Sequence, residues 1–256
     1  MWRWPVVAKR RDAVNAVKWK VFMLHAKLIT LAAQSWGDID SNPTLAMEVE
    51  KAKKAWVPND NIERSIKKWT WEDKDASQIV ELIYEGHAAG WAAVVVQVLT
   101  DNKNRAAASI RHIFSKAWGN MWTAGSVEWM FKKKWVIIID SQKHDYDSIE
   151  ELVMETDAED ISLEGREIKI IAALEDFVWV ESFLNNKNIT LHSSELEYVP
   201  DNTIDITEFD KALKYITLIH AFEDDEDVQA VYANWNISEK LDSEVHDFIE
   251  KNTFRT

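Results

Sequence analysis

The chain has 256 residues, 46% of them hydrophobic and 11% aromatic, which is enough for one large domain or two to three small ones. It has no cysteine, so disulfides, cysteine-ligated zinc and thiol nucleophiles are excluded. No apolar run approaches the length of a membrane helix. The net charge of −14 argues against a polyanionic partner, but its distribution does not. Residues 1–70 hold 13 Lys/Arg against 7 Asp/Glu, 71–100 hold 1 against 5, 101–134 hold 7 against 2, and 135–256 hold 9 against 30. The basic stretches are either solvated helix faces or surfaces for a polyanion.

The opening MWRWPVVAKRRDA lacks an apolar segment ahead of a cleavage site, which argues against a secretory leader and for the cytoplasm. Residues 1–18 read as a basic arm or a frayed terminus. Residues 20–35 place Val21, Leu24, Leu28 and Ala32 at helical spacing. Asn42-Pro43 reads as a cap and first position of a second helix reaching about Ala55. Asp60 to Glu63 is a capping-box pattern for a third, short helix. Residues 74–80 read as a linker.

Two apolar, β-branched runs, 79–84 and 92–99, flank Gly86 and Gly90 and suggest a hairpin. Thr100-Asp101-Asn102 starts a helix through Ala117, with Asp101 expected as a cap. Its apolar stripe is Ala106, Ile110, Ile113, Phe114 and Ala117; its polar face carries Arg105, Ser109, His112 and Lys116, with Arg111 nearby. Residues 127–131 read as the next strand, with Trp129 expected in the core in preference to serving as a base-stacking platform. Residues 135–199 then alternate as strand, helix, strand, strand, helix, strand, the split pattern of a ferredoxin-like module. A helix over 207–222, the acidic run 223–227 and a strand over 228–232 follow, and the last two elements are expected to return to the 79–134 sheet. Residues 238–256 read as a polar tail with one weak amphipathic helix.

The fold class is therefore α+β, divided as a helical basic domain (1–75), a middle domain (76–134 plus 201–237), an inserted ferredoxin-like domain (135–200) and a tail (238–256). Phosphate-loop, dinucleotide-fold and nucleophile-elbow motifs are absent. The seven histidines form no ligand spacing, and the 223–227 run lacks the spaced ligands and glycine of a calcium loop, so it reads as a solvated acidic turn. No cofactor, metal or catalytic residue is expected. The proposed nucleic-acid contacts are Lys9, Arg10, Arg11, Lys18, Lys20, Lys27, Lys53, Lys54, Arg64, Lys67 and Lys68, with a second patch at Arg105, Arg111 and Lys116.

Several segments carry a family resemblance. They are Lys27-Leu28-Ile29-Thr30, Asn42-Pro43, Pro58-Asn59-Asp60-Asn61-Ile62-Glu63-Arg64, Tyr84-Glu85-Gly86, Leu99-Thr100-Asp101-Asn102-Lys103-Asn104-Arg105, Gly125-Ser126-Val127, Trp129-Met130-Phe131 and the run Glu223 to Gln229. In this order and spacing the chain resembles the YebC/PmpR family, which includes a mitochondrial translational activator. The resemblance implies three domains, one inserted in another, and a non-enzymatic regulator acting on DNA or, alternatively, on ribosomal RNA as a translation factor. It implies no membrane partner and leaves the oligomeric state open. The family has glycine where this chain has Trp19, Trp36, Trp69, Trp71, Trp91, Trp118, Trp122 and Trp135.

Overall fold

A computed structural model describes residues 4–67 and 78–253, with side chains from Trp19 onward except Glu250 and Thr253. Lys68, Trp69, Trp71 and most of the expected linker lie outside the described residues, as do the side chains of Lys9, Arg10, Arg11 and Lys18. The chain divides into two compact units. One comprises the described parts of residues 1–84 with 96–113 and 219–231; the other comprises 85–95, 114–218 and the described parts of 232–256.

In the first unit, three helices precede the first strand: α1 (Trp4–Ala33), α2 (Pro43–Lys54) and α3 (Asn59–Lys67). The expected basic arm is therefore helical back to Trp4, with Pro5 in the first turn and no later glycine or proline to stop it. Ile29, Ala32 and Ala33 of α1 pack with Leu45, Val49 and Ala52 of α2, Val57, and Ile62 of α3. Asn42 performs two tasks. Its Oδ1 accepts the Leu45 N–H at 3.1 Å to cap α2, and its Nδ2 donates to the Ala32 carbonyl at 2.9 Å, closing the end of α1.

The strands β1 (Val80–His87), β2 (Ala93–Thr100), β3 (Asn120–Trp122) and β9 (Val228–Ala233) form a sheet in the order β3-β1-β2-β9. The apolar run of β2 makes it an inner strand, and β9 does return beside it. Helix α4 (Lys103–Lys116) follows β2 and buries Ala106, Ile110 and Phe114. Asn102 is its cap, accepting the N–H groups of Asn104 and Arg105 at 3.1 Å each, rather than Asp101, whose carboxylate pairs with Arg105.

In the second unit, β4 (Phe131–Asp140), α5 (Tyr146–Val153), β5 (Ala158–Glu164), β6 (Glu167–Ala172), α6 (Phe177–Asn186) and β7 (Leu191–Pro200) build an antiparallel sheet ordered β5-β6-β4-β7. This is the ferredoxin-like order expected from the sequence. Ile137 and Ile139 of β4 and Ile168 and Ile170 of β6 alternate onto the face covered by Ile149 and Val153 of α5 and Val180 and Leu184 of α6. The short strands β8 (Ile204–Ile206) and β10 (Trp235–Ile237) pair in parallel, a contact between segments about 30 residues apart that no local pattern announces. Helix α7 (Phe209–Glu223) precedes β9, and the weak terminal helix is α8 (Glu239–Thr253), held by the fully buried Val245.

Two local expectations are corrected. Residues 127–131 are not a strand: Glu128–Met130 form a 3-10 turn, and β4 begins at Phe131. The reason is Glu85 on β1, whose buried carboxylate accepts the N–H groups of Gly125, Val127 and Glu128 and so removes them from any ladder. Trp129 is not core either, being 73% exposed.

Three tryptophans occupy left-handed backbone: Trp56 (φ 61°), Trp91 (φ 68°) and Trp118 (φ 60°). Trp56 and Trp118 end α2 and α4 in the same way. Val57 N–H bonds to the Ala52 carbonyl at 3.0 Å and Gly119 N–H to the Phe114 carbonyl at 2.8 Å, the long closing bond of a Schellman cap. Asn188 (φ 60°) takes that position after α6, where Ile189 N–H bonds to the Leu184 carbonyl at 3.0 Å. Trp91 follows Gly90 (φ 83°) in the β1–β2 hairpin, a loop closed by the Ala88 N–H donating to the Ala92 carbonyl at 2.8 Å. Of the family glycine positions within the described residues, then, the backbone demands left-handedness at 91 and 118, but not at 19, 36, 122 or 135.

Candidate nucleic-acid interface

Among the described residues, those expected to meet phosphate fall on four helices. Lys9, Arg10, Arg11, Lys18, Lys20 and Lys27 lie along α1, with Lys20 half-buried. Lys53 and Lys54 are exposed in the last turn of α2, and Arg64 and Lys67 are exposed in the last turn of α3. Cations there also complement the carbonyl ends of both helices, so part of their role is local. Lys67 meets Glu63 at 3.5 Å in an exposed pair. On α4, Arg105, Arg111 and Lys116 are all exposed, as is His112.

The structure separates Lys27 and Arg105 from the others, because both converge on Asp227. The Lys27 ammonium contacts the Asp227 carboxylate at 2.7 Å and also donates to the carbonyls of Glu226 at 2.8 Å and Leu99 at 3.1 Å. Arg105 contacts the same carboxylate at 2.9 Å and reaches Asp101 at 2.9 Å. Thr100 donates its hydroxyl to Asp227 at 3.1 Å. Burial pushes the Asp227 carboxyl upward, but hydrogen bonds from Lys27 and Arg105 outweigh it and hold the group below the usual carboxylate range. Arg105 is held further in its charged form, first by its hydrogen bond to Asp227.

The acidic run is thus not a uniformly solvated turn. Asp225 accepts from the Ser109 hydroxyl and from the Asp227 N–H, and Asp227 is 6% exposed. Only one local signal pointed to it: Asp227 is the acid that directly precedes an apolar strand. Its two cationic partners lie 200 and 122 positions away in the chain.

Among the described residues, no group of three or more His, Asp or Glu is placed to hold a metal ion, and no helix is long and apolar enough to cross a membrane.

The helical N-terminal part, the antiparallel sheet with its basic helix, and the ferredoxin-like module define a multi-part α+β protein with most of its cations on the first part and on α4. The TACO1/YebC protein N-terminal domain matches residues 2–72, and the TACO1/YebC second and third domain matches residues 79–235. The chain belongs to the TACO1/YebC family. A protein of Rubrobacter xylanophilus named "Probable transcriptional regulatory protein" is 38% identical over 244 residues, covering 95% of this chain and 97% of the relative. A protein of the same name from Treponema pallidum is 40% identical over 240 residues, covering 93% and 97%. The crystal structure of a conserved hypothetical protein from Aquifex aeolicus superposes with a TM-score of 0.80 at 33% identity, covering 88% of this chain and 93% of that one.

Proposed function

We propose that this chain is a non-enzymatic, nucleic-acid-binding regulator of gene expression that holds phosphate backbones through exposed lysine and arginine. The observation that carries this reading is the set of exposed cations at Lys53, Lys54 and Arg64, at the ends of α2 and α3, in a chain that is otherwise strongly acidic. The regulatory name shared by its relatives points the same way. Duplex DNA is the first target, met by the helical domain (1–75) together with Arg111 and Lys116 of the middle domain (76–134 plus 201–237). Lys27 and Arg105 are already paired with Asp227 and are set apart from that surface. The acidic inserted domain (135–200) repels the polyanion and so orients the molecule on it. Ribosomal RNA is the second reading, favoured by the exposed indole of Trp129.

Binding of the full chain to a labelled duplex, followed across a salt series, tests the proposal. Affinity is expected to fall with a log–log slope of several units, about 0.9 per phosphate contact. A flat response overturns it. A parallel titration with a ribosomal RNA fragment at matched salt decides between the two targets.

A further inference from the structure

We propose that Trp129 is a stacking platform for an unpaired nucleobase. This rests on the nucleic-acid reading above and names the chemistry of one of its contacts. Trp129 is 73% exposed, yet the backbone beneath it is braced by a buried carboxylate. Glu85, 2% exposed on β1, accepts three loop contacts, from the N–H groups of Gly125, Val127 at 2.7 Å and Glu128 at 2.9 Å. The turn before it is closed by Ser126, whose hydroxyl donates to the Thr123 carbonyl at 2.6 Å. Val127 and Phe131 point inward and are buried, which leaves the residue midway between them pointing out. The ring itself is oriented by its indole N–H, which donates to the Ser126 carbonyl at 3.0 Å.

A buried carboxylate thus fixes a loop whose outward product is one large, flat, oriented π surface. The loop that precedes it, Thr123-Ala124-Gly125-Ser126, is built of small residues. Residues 114–134 of the same unit carry four Lys/Arg against one Asp/Glu, which favours a polyanion over another acidic protein or a second copy of this chain. The cations nearest in sequence are engaged elsewhere: Lys132 with Asp201 at 2.9 Å, Lys133 over the Tyr198 ring at 4.9 Å, and Lys134 with Glu159. The contact offered by the loop is therefore a π face and not an ammonium. A face of this kind stacks any unpaired base, with little sequence preference. Such bases are presented by loops and bulges of RNA and by opened DNA, not by an intact duplex.

The test titrates the full chain with a labelled single-stranded oligonucleotide, and with the same backbone carrying abasic sites. Trp129→Ala should weaken binding of the intact strand by about 10-fold, within the range for one base stacked on an aromatic ring. Trp129→Phe should stay within about twofold, because a ring remains. The unmodified protein should bind the abasic strand as weakly as the alanine variant binds the intact one, and that comparison does not depend on how the variant folds. The salt slope should be unchanged throughout, since no cation is removed. Equal affinity of the unmodified protein for intact and abasic strands overturns the proposal. So does an alanine variant that binds the intact strand normally, which would assign the ring to a protein partner. Loss of salt-dependent binding by the unmodified protein would instead overturn the phosphate reading beneath it.

Discussion

Replacing Trp56 by glycine should stabilise the protein. Trp56 sits one residue past the C-cap of α2 with φ 61°, where the Cβ of an L-residue crowds its own carbonyl at a cost of about 1–2 kcal/mol. Its indole is 87% exposed, so little burial is lost with it. The cap bonds themselves, Trp56 N–H to the Lys53 carbonyl and Val57 N–H to the Ala52 carbonyl, both at 3.0 Å, involve only backbone and survive the change. Glycine gives back part of the gain through a freer unfolded chain, leaving a net of about 1 kcal/mol. For a chain of this size that is about 2–4 °C in melting temperature. Trp56→Ala separates the causes, because it removes the ring and keeps the Cβ. Urea titration should show a higher midpoint at unchanged slope for glycine and almost no change for alanine. Equal midpoints for the two variants would refute the strain argument. Asn188→Gly, at the same cap position of α6, should gain only a few tenths of a kcal/mol, since asparagine tolerates this conformation.

Trp91→Gly and Trp118→Gly should each raise the urea midpoint in the same sense, for the same reason. Asp227→Ala should destabilise by about 3 kcal/mol, because it leaves the largely buried Lys27 ammonium without its counter-charge, and thermal melting would show it. Since the folded pKa of Asp227 lies below its unfolded value, its contribution is complete above the ordinary carboxylate pKa and is lost as pH falls through the folded value. The stability gap between the unmodified protein and Asp227→Asn should therefore be widest near neutrality and close in acid. Glu85→Ala should cost about 1–3 kcal/mol, and hydrogen exchange at Val127 and Glu128 should accelerate; unchanged exchange would mean that the carboxylate does not hold the loop.

Elements with a strong local period were legible in the sequence. The six elements of the ferredoxin-like module follow from alternation at Ile137, Ile139, Ile168 and Ile170 and from helical spacing at Val180 and Leu184, and the sheet order follows from the connection pattern. The Asn42 cap was legible because the signal and the bond lie within three residues. The loop 123–130 was not. Its conformation is set by Glu85, some 40 positions earlier, and a single acid inside a strand gives no local hint that it will collect three distant N–H groups. Asp227 escaped for the same reason: an acid among acids reads as solvated until the fold brings Lys27 and Arg105 to it. Trp129 was expected inside because large aromatic rings are usually buried, a tendency overridden by a loop that turns its neighbours Val127 and Phe131 inward.

The two kinds of cation in the helical part make a discriminating pair of experiments. Lys27 has 14% side-chain exposure and is held by one carboxylate and two carbonyls, so a phosphate could recruit it only by leaving Asp227 buried and partly unpaired. Lys53 is exposed at the end of α2, where exchanging solvent for a phosphate costs little. Lys27→Gln should therefore lower the melting temperature and leave the salt slope of nucleic-acid binding unchanged. Lys53→Gln should leave the melting temperature within about 1 °C, given that a surface change away from such contacts is usually worth under ~0.5 kcal/mol, and should reduce the slope by about one unit. The opposite outcome, a slope that drops with Lys27→Gln and not with Lys53→Gln, would make Asp227 a stand-in for phosphate in the unbound protein. It would place the binding surface at the junction of α1, α4 and β9, not on the ends of α2 and α3.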